Sequence, residues 1–179
     1  LHGMGLGVCL FDYRGYGKSG GRPSEEGTYR DAEAVWKHMT GVLSVPPERV
    51  IVMGRSLGAS VAAWLARREK PAMLIVESGF YSLKSLARDY CRLCPTGIVF
   101  SYRYETGKNA AAAGCPVLVI HSLDDEIIPF AHGLRIFNEL KGERRFLEIR
   151  GSHNAGFILS GDTYQSGLVK FINRYRRGQ

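Results

Sequence analysis

Long hydrophobic runs are missing from this 179-residue chain. No apolar stretch approaches the roughly 20 residues that span a bilayer, which excludes a transmembrane helix. The first ten residues lack a basic n-region and a cleavage site, so they do not form a signal peptide, and a reducing, cytoplasmic setting is expected. Position 1 is not Met and runs straight toward apolar sequence, as in a chain that begins mid-fold. Cysteine is scarce, with only Cys9, Cys91, Cys94 and Cys115. Cys9 and Cys115 lie in or beside short apolar runs, where a thiol packs as a small hydrophobe. Cys91-Arg-Leu-Cys94 has redox or metal spacing, but no second Cys/His pair completes a zinc site and no strand leads into it, so a structural role is expected. Internal repeats and low-complexity segments are absent.

What is present is ordinary for a globular protein: 45% hydrophobic and 23% charged residues, which excludes a disordered or fibrous chain. Twenty-four Lys and Arg against 17 Asp and Glu leave a formal charge of +7. The cations gather at element ends, such as Arg67, Arg68 and Lys70 or Arg174, Arg176 and Arg177, where a helix dipole favours them. No basic stripe is interleaved with aromatics, so nucleic acid is not an expected partner; peripheral contact with a membrane surface stays open.

Short apolar runs alternate with helical patterns. Strands are expected at 7–13, 50–53, 72–77, 116–121 and 145–149, and helices at 28–43, 57–69, 83–90, 131–141 and 163–176. Thr28 with Asp31 offers a cap for the first helix. The strands are apolar without alternation, as in a parallel sheet covered by helices on both faces, and the class is α/β. Residues 91–114 have no clean period; with the residues before them, 79–114 are a candidate lid or cap on a single domain spanning 1–179.

The loop Gly15-Tyr-Gly-Lys-Ser-Gly-Gly21 imitates three motifs. As a dinucleotide fingerprint it lacks the following helix, and as a P-loop its first Gly would fall on Asp12. As G-x-S-x-G, it places Ser19 well past the strand with no helix after it. A tight turn with positive φ accounts for it.

Gly54-Arg-Ser56-Leu-Gly58 also fits G-x-S-x-G, with a strand entering and an Ala-rich helix leaving. That context is the nucleophile elbow: the turn is too sharp for a Cβ at 54 or 58, Ser56 Oγ stands above the sheet edge, and the Leu57 N–H faces a developing oxyanion. A serine needs a base, and the base an orienting carboxylate. Asp124-Asp125-Glu126 follows the strand ending at His121, and His153 follows the strand ending near Ile149. Parallel strands end on one side, so these loops share an edge with Ser56. His2, His38, His121 and His132 are expected to be structural or surface residues.

Phe11-Asp-Tyr-Arg-Gly-Tyr-Gly-Lys-Ser, Gly54-Arg-Ser-Leu-Gly58, His121-Ser-Leu-Asp-Asp-Glu-Ile-Ile-Pro129 and Gly151-Ser-His-Asn together resemble the α/β-hydrolase superfamily, in particular its small serine hydrolases of the Bem46 and ABHD13/ABHD17 type. The resemblance covers essentially the whole chain. It implies Ser56 as nucleophile, His153 as base and Asp125, rather than Asp124, as the acid, with no metal or organic cofactor. It gives the Asp-Tyr-Arg-Gly-Tyr-Gly loop a supporting role. The implied activity is cleavage of a carboxylic ester or thioester in a small-molecule or acylated substrate. A peptidase of the same fold and a catalytically weak interaction module are the alternatives. Two departures follow. Ser122 stands where these proteins usually have Gly. The oxyanion loop and helix expected before Phe11, and the strand that would lie between 7–13 and 50–53, are not in this sequence, so N-terminal truncation, a gap in the sheet and a missing second oxyanion donor are expected.

Overall fold

The computed structural model describes residues 2–90 and 101–176. Among them four strands form one sheet in chain order: β1 (Ile51–Arg55), β2 (Met73–Glu77), β3 (Val117–Ser122) and β4 (Arg144–Ile149). Each neighbouring pair is parallel. The helices are α1 (Glu25–Lys37), α2 (Leu57–Glu69), α3 (Leu83–Tyr90), α4 (Thr106–Ala111), α5 (Phe130–Glu139), α6 (Gly156–Leu159) and α7 (Gly161–Tyr175). No helix among the described residues is long and apolar enough to cross a membrane.

β2 and β3 are buried along their whole length, which is why they carry apolar side chains on both faces. The period of two divides those side chains cleanly. Leu74, Val76, Val117 and Val119 face α2, α4 and α5, meeting Ala59, Ala62, Ala63 and Ala66 of α2. The small alanines let that helix lie close to the sheet. Met73, Ile75, Leu118 and Ile120 face the other way onto Leu168, Phe171 and Ile172 of α7. Each such fully buried Leu or Ile contributes about 1.5–3 kcal/mol. A third cluster joins α1 to α2, with Tyr29 stacked on Trp64 at 4.5 Å.

Three expectations need correction. Residues 7–13 form no strand: they run outside the sheet, with Leu10 88% exposed and Cys9 exposed rather than packed. An apolar run becomes a strand only where a neighbour supplies a hydrogen-bond ladder, and the edge of β1 away from β2 is not engaged by this segment. With no strand beyond β1 among the described residues, the sheet is continuous, and the expected gap within it becomes an unpaired edge at β1. The first helix begins at Glu25, capped by Ser24, whose Oγ accepts the Gly27 N–H at 3.0 Å. Thr28 is already inside it, and Asp31 binds Arg14 through that residue's backbone N–H and its guanidinium. The third correction concerns Gly58 and follows from the geometry of the serine turn. Cys91, Cys94 and the centre of the proposed lid lie outside the described residues.

Register brings the carboxyl ends together. Arg55 pairs with Glu77, and Ser122 with Ile149, so the turns after β1, β3 and β4 open on one edge.

Candidate active site

Ser56 follows β1 directly and is the N-cap of α2, with φ 55° and ψ −121°. A left-handed φ at a residue bearing a Cβ is strained. Its N–H donates to the Glu77 carbonyl at 2.9 Å, which pins the turn to β2. No side chain caps the start of α2, leaving the Leu57 N–H at the positive end of the helix. Gly54 is obligatory, since a Cβ there would stand 2.1 Å from the Gly58 carbonyl oxygen. Gly58 is not: a Cβ would meet only the Tyr13 hydroxyl, at 3.7 Å. The close approach is one-sided because Gly54 abuts the helix backbone while Gly58 faces a side chain.

The three consecutive acids after β3 hold three different things. Asp124 accepts the Gly151 N–H at 2.9 Å and pairs with Arg150 at 3.2 Å. Those donors hold its carboxyl below the usual range, the Gly151 N–H foremost. Asp125, 7% exposed, lies 2.8 and 3.0 Å from His153 Nδ1 and accepts the N–H groups of Ile127 and Ile128. Glu126 accepts the His153 backbone N–H at 2.9 Å. Ser122 adds a further tie: its hydroxyl donates to the Gly151 carbonyl and accepts the Asp124 N–H. The serine in place of the usual glycine therefore joins the two turns.

Asp125 and His153 are thus brought together, with His153 6% exposed. A carboxylate on Nδ1 selects the tautomer with its proton there and leaves Nε2 as the basic nitrogen. Among the described residues no hydrogen bond joins Ser56 Oγ to His153.

The model of the prolyl oligopeptidase family matches residues 1–175. The chain belongs to that α/β-hydrolase family. It is 36% identical over 173 residues to an uncharacterized Mycobacterium tuberculosis protein, covering 96% of this chain and 62% of that one. It is 31% identical over 172 residues to human alpha/beta hydrolase domain-containing protein 17B, covering 93% and 56%. The chain therefore spans about 62% or less of the length of these two relatives. Among solved structures it resembles an alpha-beta hydrolase from Vibrio vulnificus, with a TM-score of 0.74 at 22% identity over 89% of this chain and 61% of that one. It also resembles a Paleococcus ferrophilus monoacylglycerol lipase, with a TM-score of 0.67 at 21% identity over 97% and 85%. These two share the fold.

Two further histidines of this α/β-hydrolase are buried and bonded within the fold. His121 is fully buried; its Nε2 lies 2.8 Å from the Ile128 carbonyl and 3.6 Å from Asp125, and burial lowers its basicity. His132 Nδ1 accepts the Tyr81 N–H, and its Nε2 lies 2.6 Å from Asp89. His38 is exposed. Tyr90, at the end of α3, donates to the Ile127 carbonyl, so the described part of the 79–114 region touches the acid turn. Sequence reasoning missed Arg55 and Glu77. Arg55 carries no signal, but Glu77 does: a lone carboxylate ending the apolar run Met-Leu-Ile-Val is costly to bury and marks a tie to another element.

Proposed function

We propose that the protein is a serine hydrolase that cleaves carboxylic esters or thioesters through an acyl-enzyme on Ser56. The observation that carries this reading is the Asp125 carboxylate on His153 Nδ1, at the sheet edge where Ser56 sits in a strained turn. Ser56 Oγ attacks the acyl carbon while His153 Nε2 takes its proton. The tetrahedral oxyanion accepts the Leu57 N–H, whose helix-start position suits developing negative charge. His153 then returns the proton to the leaving alcohol or thiol, and the C–O or C–S bond breaks. Water, deprotonated by the same nitrogen, attacks the acyl-enzyme; the bond from the acyl carbon to Ser56 Oγ breaks, Oγ regains the proton from His153, and the acid leaves. Asp125 keeps the ring oriented and stabilises the imidazolium.

The family match favours one second reading, a peptidase using the same three residues. A fluorophosphonate probe together with short p-nitrophenyl esters and peptidyl p-nitroanilides tests both readings. Labelling that disappears in Ser56→Ala with preferential ester turnover supports the first. Preferential anilide turnover supports the second. Equal labelling of Ser56→Ala and the parent protein removes Ser56 from the chemistry.

A further inference from the structure

Arg55 is used by none of the chemistry above. It ends β1 one residue before the serine, yet its Nη2 crosses to the histidine turn, donating to the His153 carbonyl and to Asn154 Oδ1 at 3.0 Å. Among the described residues it makes the side-chain hydrogen bonds that link the turn after β1 to the turn after β4. The other side of the guanidinium faces Glu77, its register partner on β2, with Nε 3.6 Å from Oε1. Glu77 is 3% exposed, and its second carboxylate oxygen accepts the Tyr164 hydroxyl of α7 at 2.5 Å.

Burial raises the Glu77 carboxyl above its usual range, against the opposing pull of Tyr164 and Arg55. Taking a carboxylate out of water costs several kcal/mol that an imperfect pair only partly offsets. An apolar residue at this position would serve the sheet at least as well. What an apolar residue cannot do is face a guanidinium. The Glu77 main chain already holds the Ser56 N–H, so a single residue touches the serine turn by its backbone and the histidine turn through Arg55.

We propose that Glu77 and Arg55 form a positioning strut that sets the distance between Ser56 and His153. This rests on the reading of those two residues as nucleophile and base. Asp125 and Glu126 fix His153 relative to the turn after β3, and neither reaches the turn that carries the serine. Arg55 closes that gap. Neither strut residue donates or accepts a proton in the reaction; they act through the backbone carbonyl of His153.

The test compares Arg55→Met, Arg55→Lys, Glu77→Gln and Tyr164→Phe with the parent protein. Each is checked for fold by circular dichroism, and kcat and KM are measured on a short p-nitrophenyl ester. The His153 imidazole signals, identified with His153→Gln, are followed by NMR. Arg55→Met is expected to lower kcat about 100-fold with KM unchanged, because a misplacement of about 1 Å costs that much. Arg55→Lys should recover part of the loss, since one ammonium cannot serve both the carbonyl and Glu77. Glu77→Gln should fall between them. The His153 signals should move in each folded variant. Should the Arg55 and Glu77 variants not fold, Tyr164→Phe loosens Glu77 with the core shape kept and must itself lower kcat and move the signals. Unchanged kcat and unchanged His153 signals in a folded variant overturn the strut, as does a raised KM with kcat intact, which would mark Arg55 as a substrate contact. If no variant or parent turns over ester or reacts with the fluorophosphonate, the hydrolase reading fails, while the His153 signals still decide the strut.

Discussion

The turn after β1 is shaped by excluded volume, whereas the turns after β3 and β4 are held to each other by hydrogen bonds that three consecutive acids accept. At Gly54 there is no space for a methyl group, and Ser56 is driven into a backbone conformation that a residue with a Cβ rarely adopts. At the other junction Asp124, Asp125 and Glu126 each reach across to the segment around His153. The first arrangement is decided by residues four positions apart and the second by residues almost thirty apart. One should fail by crowding at any pH, the other by loss of charge or of a single donor.

That contrast is tested hardest by the acids. Asp125→Asn is expected to lower kcat about 10,000-fold, because the Ile127 and Ile128 N–H groups hold the amide oxygen and turn the amide NH2 toward Nδ1, which selects the tautomer with its proton on Nε2. Asp124→Asn should keep most of the activity; the opposite ranking would exchange their roles. Next in size is Gly54→Ala, which should cost about 3 kcal/mol or more in urea unfolding, since the new methyl meets backbone that cannot step aside. Gly133→Ala is expected to cost about 1–3 kcal/mol by the same measurement, because its Cβ would lie 2.6 Å from the buried His121 ring. Gly58→Ala should stabilise by about 0.5–1 kcal/mol, as for glycine replacement in an open helical position; a loss as large as that of Gly54→Ala would restore the symmetric view of the turn.

The smallest effect separates the two regions by pH. The Asp124 carboxyl is held low in the fold, so its contribution is present above the ordinary aspartate range and fades as pH falls through the depressed value. The melting temperature of Asp124→Asn should therefore lie below that of the parent protein at pH 7 and converge with it in acid. The deficit of Gly54→Ala should persist at both pH values. A constant Asp124→Asn deficit would mean that its carboxylate charge is not what holds Gly151.

The same division explains what could be read from sequence. The strand, the serine turn and the Ala-rich helix announce themselves because glycine spacing and apolar runs are local consequences of backbone sterics. That the turns carrying Ser56, Asp125 and His153 share one edge was legible because parallel strands deliver their following turns there, whereas the choice of Asp125 over Asp124 came from the family resemblance. Residues 7–13 misled because a strand needs a partner, and a composition rich in Val, Leu and Phe does not say whether one is present. The cap of α1 was misplaced because Ser24 and Thr28 both carry a hydroxyl suited to it; Ser24 takes the Gly27 N–H, while Asp31 turns to Arg14. Glu77 and Arg55 escaped because their meaning lies in a guanidinium that spans 98 positions of sequence to reach His153.

The sheet order β1-β2-β3-β4 repeats the order of the chain, and this has a consequence for biosynthesis. Each strand emerging from the ribosome finds its template already made, so the domain can grow by accretion without waiting for a distant segment to return. The turn that carries Ser56 is made before the turn that carries His153, with the α7 helix still to close over the sheet. A nascent chain would thus carry Ser56, the proposed nucleophile, before it carries His153, the proposed base, and the two turns would meet only once β4 had joined the sheet.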